Sequence, residues 1–451
     1  MNKDELLAKA TKPLEAAGVL HPYYEGKVEI CLKAPVHDYR DFAIWYTPGV
    51  AASCRAIEAN KEEVYRHTNK ANIVAVVSDG TRVLGLGDIG PEAALPVMEG
   101  KALLFKYLGG VDAFPVCLDT RDPEEIIRTV KLLQPSFGGI NLEDIASPKC
   151  FYILERLRAE CHIPVWHDDQ QGTACVTLAG LFNALKIVGK ELQDVKIAMV
   201  GAGAANIANS RLLLAAGVPP KNLIICDSKG ILHKGREDIQ DTHREKLRIM
   251  EITNAAQKSG GIPEALKGAD VLIALSRPGP GTIKKEWISG MAKDAIVFAC
   301  ANPIPEIWPW EAREAGAAIV STGRSDFPNQ VNNSLCFPAI FRGVLDVRAK
   351  TITDTMCIAA AKELAACAAE GGLNPEKILP AMDNREVYPR VATATALQAI
   401  AEGVAAKVMS REEIYTMALQ KIKRAQDQTR ILLDSGIVQD YRKSPGPCHS
   451  E

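Results

Sequence analysis

The apolar positions of this chain fall into two alternating patterns. Short runs of strand length, each closed by polar, Gly or Pro residues, recur in the second half: "KIAMVG", "NLIICDSKG", "GADVLIALSRPG", "DAIVFACANPIPEI" and "AAIVSTG". Between them lie longer stretches with helical spacing, such as Ile207, Leu212 and Leu213 after the first run. Strands that alternate with helices predict a parallel, doubly wound sheet. The first 160 or so residues alternate in the same way through "NIVAVVSDGTRVLGLGDIG", "VDAFPVCLDT" and "FGGINLEDIASPKC". From about Asp354 the chain turns Ala-rich and helical. The pattern predicts two α/β units followed by a helical tail.

Length and composition narrow this picture. A chain of 451 residues accommodates two or three domains of about 150 residues each. Its formal charge of −2 gives no basic field for nucleic acid or anionic lipid, so neither is an expected partner. The twelve cysteines are scattered and form no CxxC, the usage of a reducing compartment. The opening "MNKDELLAKATKPLEAAGVL" lacks the apolar centre of a signal peptide. The uncharged run from Gln170 to Leu185 carries Gln, Thr and Asn and is expected to fall short of a membrane span. A cytoplasmic enzyme is the expectation.

One turn carries a dinucleotide fingerprint. Gly201-Ala202-Gly203-Ala204-Ala205-Asn206 follows a predicted strand and opens a predicted helix. In that context the first Gly makes the tight turn, and the second lets a pyrophosphate approach the helix N-terminus. Asn206 stands where the third glycine would be. Asp227 lies 26 residues beyond Gly201, placed to meet the adenosine ribose. A carboxylate there argues for NAD, whereas the adjacent Ser228 and Lys229 suit the 2′-phosphate of NADP. The choice stays open.

Two carboxylate pairs stand out in apolar surroundings. Glu143-Asp144 ends the run "GGINLED", and Ser147 and Pro148 then read as N-cap and first position of a helix with Cys150, Leu154 and Leu157 on one face. Acids near a helix N-terminus also complement its dipole, the plainer reading of that pair alone. Asp168-Asp169 in "VWHDDQQGTACV" has no nearby cation. Side-by-side carboxylates in a core-like segment require a positive partner. Hard oxygen ligands without a His/Cys cluster suggest Mg2+ or Mn2+. Arg82 sits among glycines, suited to a small carboxylate, and Lys101 lies early in a helical pattern. Tyr46 adjoins a Pro-Gly turn. Taken singly, these three read equally well as a solvated turn arginine, an exposed lysine and a packed aromatic.

Taken together, "WYTPGV", "SDGTRVLGLGDIG", "GKALLFKYLGGVDAFPVCLDT", "INLEDIASPKCF", "HDDQQGTACVTLAGL", "VGAGAAN", "DSKGILHKGR", "CANPIPEI" and "NNSLCFP" resemble the compact prokaryotic-type malic enzymes, in order and over nearly the whole chain. The resemblance implies oxidative decarboxylation of malate to pyruvate and CO2, through oxaloacetate and enolpyruvate, with NAD or NADP and Mg2+ or Mn2+. It implies metal ligands Glu143, Asp144 and Asp169, substrate contacts from Arg82, Asn302 and Asn333, Lys101 as general base, and Tyr46 as general acid. Asp168 would pair with the lysine. Gly201, Gly203, Ala204, Asp227, Ser228, Lys229 and Asn302 would line the cofactor.

The implied fold is a Rossmann-type doubly wound domain over residues 168–332, inserted in a second α/β substrate and metal domain built from 1–167 and 333–451 with the helical tail. Hinges would fall near Asp168 and Asn332. A homodimer or larger homo-oligomer is implied, with Tyr46 on a segment early enough to serve a neighbouring subunit. Other readings are a malolactic-type converter, a metal-free amino-acid dehydrogenase on a similar fold, and a non-catalytic dinucleotide-sensing module.

Overall fold

The computed structural model describes residues 3–239 and 241–443. Two parallel sheets form, one in each half of the chain. The first takes β1 (Ile73–Ser78), β2 (Asp112–Cys117), β3 (Gly139–Leu142) and β4 (Val165–His167), in the order β2-β1-β3-β4. The second takes β5 (Ile197–Val200), β6 (Leu223–Asp227), β7 (Gly230–Ile231), β8 (Val271–Ala274), β9 (Ala295–Ala299) and β10 (Ala317–Thr322). Its order is β10-β9-β8-β5-β6-β7, parallel except for the short β7 hairpin on β6. The central strands β1, β3, β5, β8 and β9 are buried almost throughout, as parallel strands covered by helices on both faces must be.

Both sheets therefore share one winding. Counted from its own first strand, the first reads 2-1-3-4 and the second, with the hairpin strand β7 left out, 2-1-3-4-5, and in both the direction of winding reverses between strands 1 and 3. Crevices that take ligands open at the carboxyl ends of such switch points. In the first sheet this is the gap between the loops after β1 and β3. In the second it lies between the loops after β5 and β8.

The helical tail joins the halves. Helices Phe337–Asp346 and Arg411–Asp434 pack on helix Pro91–Gly109 of the first half, whereas Asp354–Glu370 packs on Thr173–Val188 and Ala204–Ala215. Phe105 meets Phe337 and Phe341 edge-on, with ring centroids 4.6 and 5.2 Å apart. The buried Arg342 pairs with Asp346 and donates to Asn72 Oδ1 at 2.5 Å. The stretch Asp168–Val188 is long and apolar enough to cross a membrane, contrary to the expectation, but 72% of its apolar window is buried. It is the core helix between the halves.

One segment departs from this packing. Residues 28–50 carry a row of exposed apolar side chains, among them Ile30 (85% exposed), Leu32 (76%) and Tyr46 (72%). The short helix Asp41–Trp45 lies within this arm and helix Val50–Ala59 follows it; neither has a buried residue.

Candidate active site

The first switch point gathers the acids. β3 delivers Glu143 and Asp144 at its carboxyl end, and β4 delivers Asp168 and Asp169. Asp168 opens one wide helical turn, Asp168–Gly172, before the core helix; such turns displace side chains from the regular register and recur at functional sites. Glu143, Asp144 and Asp169 each offer a carboxylate oxygen, all within 4.8 Å of one another. Asp144 adopts φ 55°, a left-handed backbone that costs a non-glycine residue energy and turns its side chain into the cluster. Its main-chain N–H donates to Asp169 Oδ2 at 2.8 Å, while its own buried Oδ2 has no hydrogen-bond partner. Asn141 donates to Glu143 Oε2 at 2.9 Å.

Lys101 lies on helix Pro91–Gly109 and faces these acids. Its Nζ is bonded to Asp168 and sits 3.1 Å from Glu143 Oε1. Asp168 is buried and held from three sides, accepting also from Trp166 Nε1 at 3.0 Å and Asn333 Nδ2 at 3.0 Å. Asn333 Nδ2 reaches the Asp168 carbonyl at 3.2 Å too, so the two expected hinge points touch. Thr173, in the first turn of the core helix, bonds Asn333.

Electrostatics follow from this crowding. Burial, then repulsion from Asp169, pushes the Asp144 carboxyl up to about 8. Burial and the neighbouring carboxylates likewise raise Glu143 well above its ordinary value, against the pull of Lys101. Burial works to lower Lys101, but the charges of Asp168 and Glu143 outweigh it and raise the ammonium above its usual range. Chain residues alone thus make Lys101 more basic. Neutralising it requires a further positive charge among the acids, which draws Glu143 away and repels the ammonium.

The donor set fits a divalent cation. Three hard carboxylate ligands, one with an orphaned buried oxygen, are what Mg2+ or Mn2+ takes. Arg82 stands beside the cluster on the loop after β1, its N–H donating to the Asp144 carbonyl at 2.9 Å. Its guanidinium is exposed and makes no ion pair among the described residues.

The second switch point is built from glycine. Gly201 has φ 98°, and a Cβ there would lie 2.4 Å from the Leu275 carbonyl oxygen, so the loops after β5 and β8 meet only because it is glycine. A Cβ on Gly203 would meet nothing within 4 Å. That open space precedes helix Ala204–Ala215, whose free N–H groups fit a pyrophosphate. Asn206 is buried and donates to the carbonyls of Val200 (2.9 Å), Gly201 (3.0 Å) and Ile273 (3.3 Å). It pins the turn that a third glycine would leave to packing. Buried Glu306 ties the loops after β8 and β9, accepting from Ser276 N at 2.8 Å and Ala301 N at 3.1 Å.

Asp227 ends β6 with Ser228 and Lys229 exposed beside it. Asn302 sits at the mouth between the halves: a Cβ on Gly85 would stand 2.6 Å from its carbonyl oxygen. Tyr46 is not brought to the cluster; it lies on the exposed arm. The helix after Glu143-Asp144 starts at Lys149 with Pro148 at its cap position. Ser147 is no cap, because main-chain bonds from Cys150 to Ala146 and from Phe151 to Pro148 close the first turn.

Sequence reasoning overlooked Thr173, Glu306, Arg236 and Lys246. Only Thr173 carried a local signal, its place at the start of a helix directly after the acids.

A dinucleotide crevice facing a carboxylate–lysine cluster defines the class of dinucleotide-dependent oxidoreductases. The comparisons narrow the class. The profile of the malic enzyme N-terminal domain matches residues 25–158, and that of the malic enzyme NAD binding domain matches 170–400. The chain is 51% identical over 401 residues to the bifunctional malic/malolactic enzyme of Bacillus subtilis, covering 89% of this chain and 96% of that protein. It is 52% identical over 382 residues to the NAD-dependent malic enzyme of Geobacillus stearothermophilus, covering 85% and 78%. The crystal structure of Entamoeba histolytica malic enzyme superposes with a TM-score of 0.94 at 48% identity, covering 98% of this chain and 93% of that one. The chain belongs to the malic enzyme family. The second profile runs well into the tail, in keeping with tail helices that pack on both halves.

Proposed function

We propose that the chain converts L-malate to pyruvate and CO2 while reducing NAD or NADP. The observation that carries this reading is Lys101, held between Asp168 and Glu143 beside three carboxylates at one switch point, with the glycine crevice across the cleft. Mg2+ or Mn2+ bound by Glu143, Asp144 and Asp169 supplies Lewis acidity, and the nicotinamide supplies a hydride acceptor. Lys101 takes the proton of the C2 hydroxyl as hydride leaves C2. Asp168 fixes the direction of the lysine. Arg82 grips a malate carboxylate, and Asn302 and Asn333 orient the substrate. After decarboxylation of the β-keto acid, Tyr46 returns a proton to C3 of the enolate.

Tyr46 supports a homo-oligomer. A proton donor on an arm with unpartnered Ile30, Leu32, Phe42, Ile44 and Trp45 serves a neighbouring subunit's site once two copies cover these faces. The free described cysteines support a cytoplasmic setting.

The test is NAD(P)H formation, read by ultraviolet absorbance, with malate and Mn2+ and each nucleotide. Reduction with stoichiometric pyruvate is expected. Lactate formed without net NAD(P)H marks the malolactic reading. Activity unaffected by EDTA overturns the metal assignment.

A further inference from the structure

The end of β6 is where a dinucleotide's adenosine ribose would lie, and Asp227 is the acid expected to receive its hydroxyls. In the structure that carboxylate is already engaged. Arg236 Nη1 lies 3.2 Å from Oδ1, and its Nη2 lies 3.2 Å from Oδ2. Lys246 Nζ donates to Oδ2 at 3.3 Å, and the main-chain N–H of Lys229 donates to Oδ1 at 2.9 Å. Arg236 is itself fixed, its side chain only 11% exposed, by Asp238 and by the carbonyls of Gly230 and Ile231 in the β7 hairpin. A carboxylate that accepts from two cations and a main-chain N–H has lost the free lone pairs that would take two ribose hydroxyls.

The charge balance points the same way. Lys229, Arg236 and Lys246 meet only Asp227 and Asp238 in this network. Lys246 and Arg244 also line a cleft of about 490 Å³ between helices Lys149–Glu160 and Arg244–Ile252, and Ala202 of the glycine turn forms part of its wall. The cleft thus reaches from the glycine turn to Lys246 at the edge of the cationic network, with Glu155 and Glu245 also on its wall. Repulsion by Asp227 is the usual obstacle to a phosphate on the ribose. Here Arg236 cancels it.

We propose that this chain is built for a 2′-phosphorylated dinucleotide, NADP, with Arg236 neutralising Asp227 and with Lys229, Lys246 and Arg244 receiving the 2′-phosphate. Lys229 is the most mobile of these, its side chain 64% exposed. Lys246 bridges, able to leave Asp227 for the phosphate without stranding it, because Arg236 remains. The assignment rests on the dinucleotide reading of the glycine turn, not on the malate chemistry.

Calorimetric titration of the full chain with adenosine 2′,5′-bisphosphate and, separately, with 5′-AMP tests it without turnover. The bisphosphate should bind roughly tenfold tighter or more, the worth of one or two charge-assisted hydrogen bonds. In Lys246→Gln and Lys229→Ala the advantage should shrink by about threefold to tenfold each, with 5′-AMP binding unchanged. Equal affinity for the two probes, or preference for 5′-AMP, overturns the proposal even if malate is oxidised. A wild-type preference that survives in Lys246→Gln, Lys229→Ala and Arg244→Ala alike overturns the residue assignment. Arg236→Lys, which keeps a charge but loses the fork on Asp227, should lower the bisphosphate advantage; an unaltered ratio in a folded variant counts against its neutralising role. If malate oxidation fails with both nucleotides while the bisphosphate preference holds, the function fails and this inference stands.

Discussion

The two switch points share a winding and differ in nearly everything else. At the first, four carboxylates and a lysine crowd a buried gap, one aspartate holds a left-handed backbone, and a buried oxygen lacks a partner. At the second, the gap is formed by glycines, one needed for close approach and one leaving open space, and the buried Asn206 and Glu306 spend their side chains on tying the main chain of neighbouring loops together. Topology supplies the same crevice twice. What fills it decides the chemistry: charge concentrated for a cation and a proton in one, main-chain donors cleared for a phosphate in the other.

Lys101→Ala should break the first site most completely, lowering malate oxidation by roughly 10²–10⁴-fold in a steady-state assay while dinucleotide binding is retained. Tyr46→Phe should abolish protonation of enolpyruvate, followed by solvent tritium exchange at C3. If two copies complete each other's sites, mixing inactive Lys101→Ala with inactive Tyr46→Phe should restore about a quarter of wild-type activity through heterodimers; no recovery after subunit exchange would place both residues on one chain. Asp169→Asn should weaken Mn2+ binding by roughly 100-fold in a direct titration, a ligand loss outweighing outer-shell effects. Asp168→Asn should keep the metal and shift the pH profile of the lysine. Equal metal loss in both would erase that division of labour.

Gly203→Val sharpens the comparison from the other side. Filling the open cradle should raise the dinucleotide KM by about tenfold, with Mn2+ affinity unchanged. The smallest effect is a proton count. With its carboxyl held up to about 8, Asp144 retains a proton at neutral pH, so Mn2+ binding should release protons and tighten as pH rises toward about 8. Calorimetry in buffers of differing ionisation enthalpy reads this directly. Without metal, the raised Asp144 makes folding progressively less favourable as pH rises from its ordinary 3.8 to about 8, with no further loss above that.

Much of this was legible in sequence, because both crevices lie at strand ends that apolar runs mark clearly. The acids at 143–144 and 168–169 stand out against core residues, and the fingerprint at 201–206 needs only its flanking strand and helix. What escaped depends on contacts between distant positions. Nothing near Asp227 announces that Arg236, nine residues on, turns back through the β7 hairpin to cover it. Asn206 read as a departure from a glycine pattern, but its three carbonyl partners belong to two strands and the turn. The second partner of Lys101 escaped for a similar reason: Glu143, from a different strand than Asp168, lies 3.1 Å from its Nζ. Tyr46 taken alone reads as a packed aromatic, and only the fold shows that no described residue buries the arm that bears it.

Gly85 has a consequence beyond its own loop. It meets the Asn302 carbonyl where any Cβ would clash at 2.6 Å, so at that point the halves are shut by contour and not by a bolt. Gly85 and Asn302 share no described hydrogen bond or ion pair, so nothing polar holds this seam closed. A single methyl group, as in Gly85→Ala, would act as a wedge and leave it ajar.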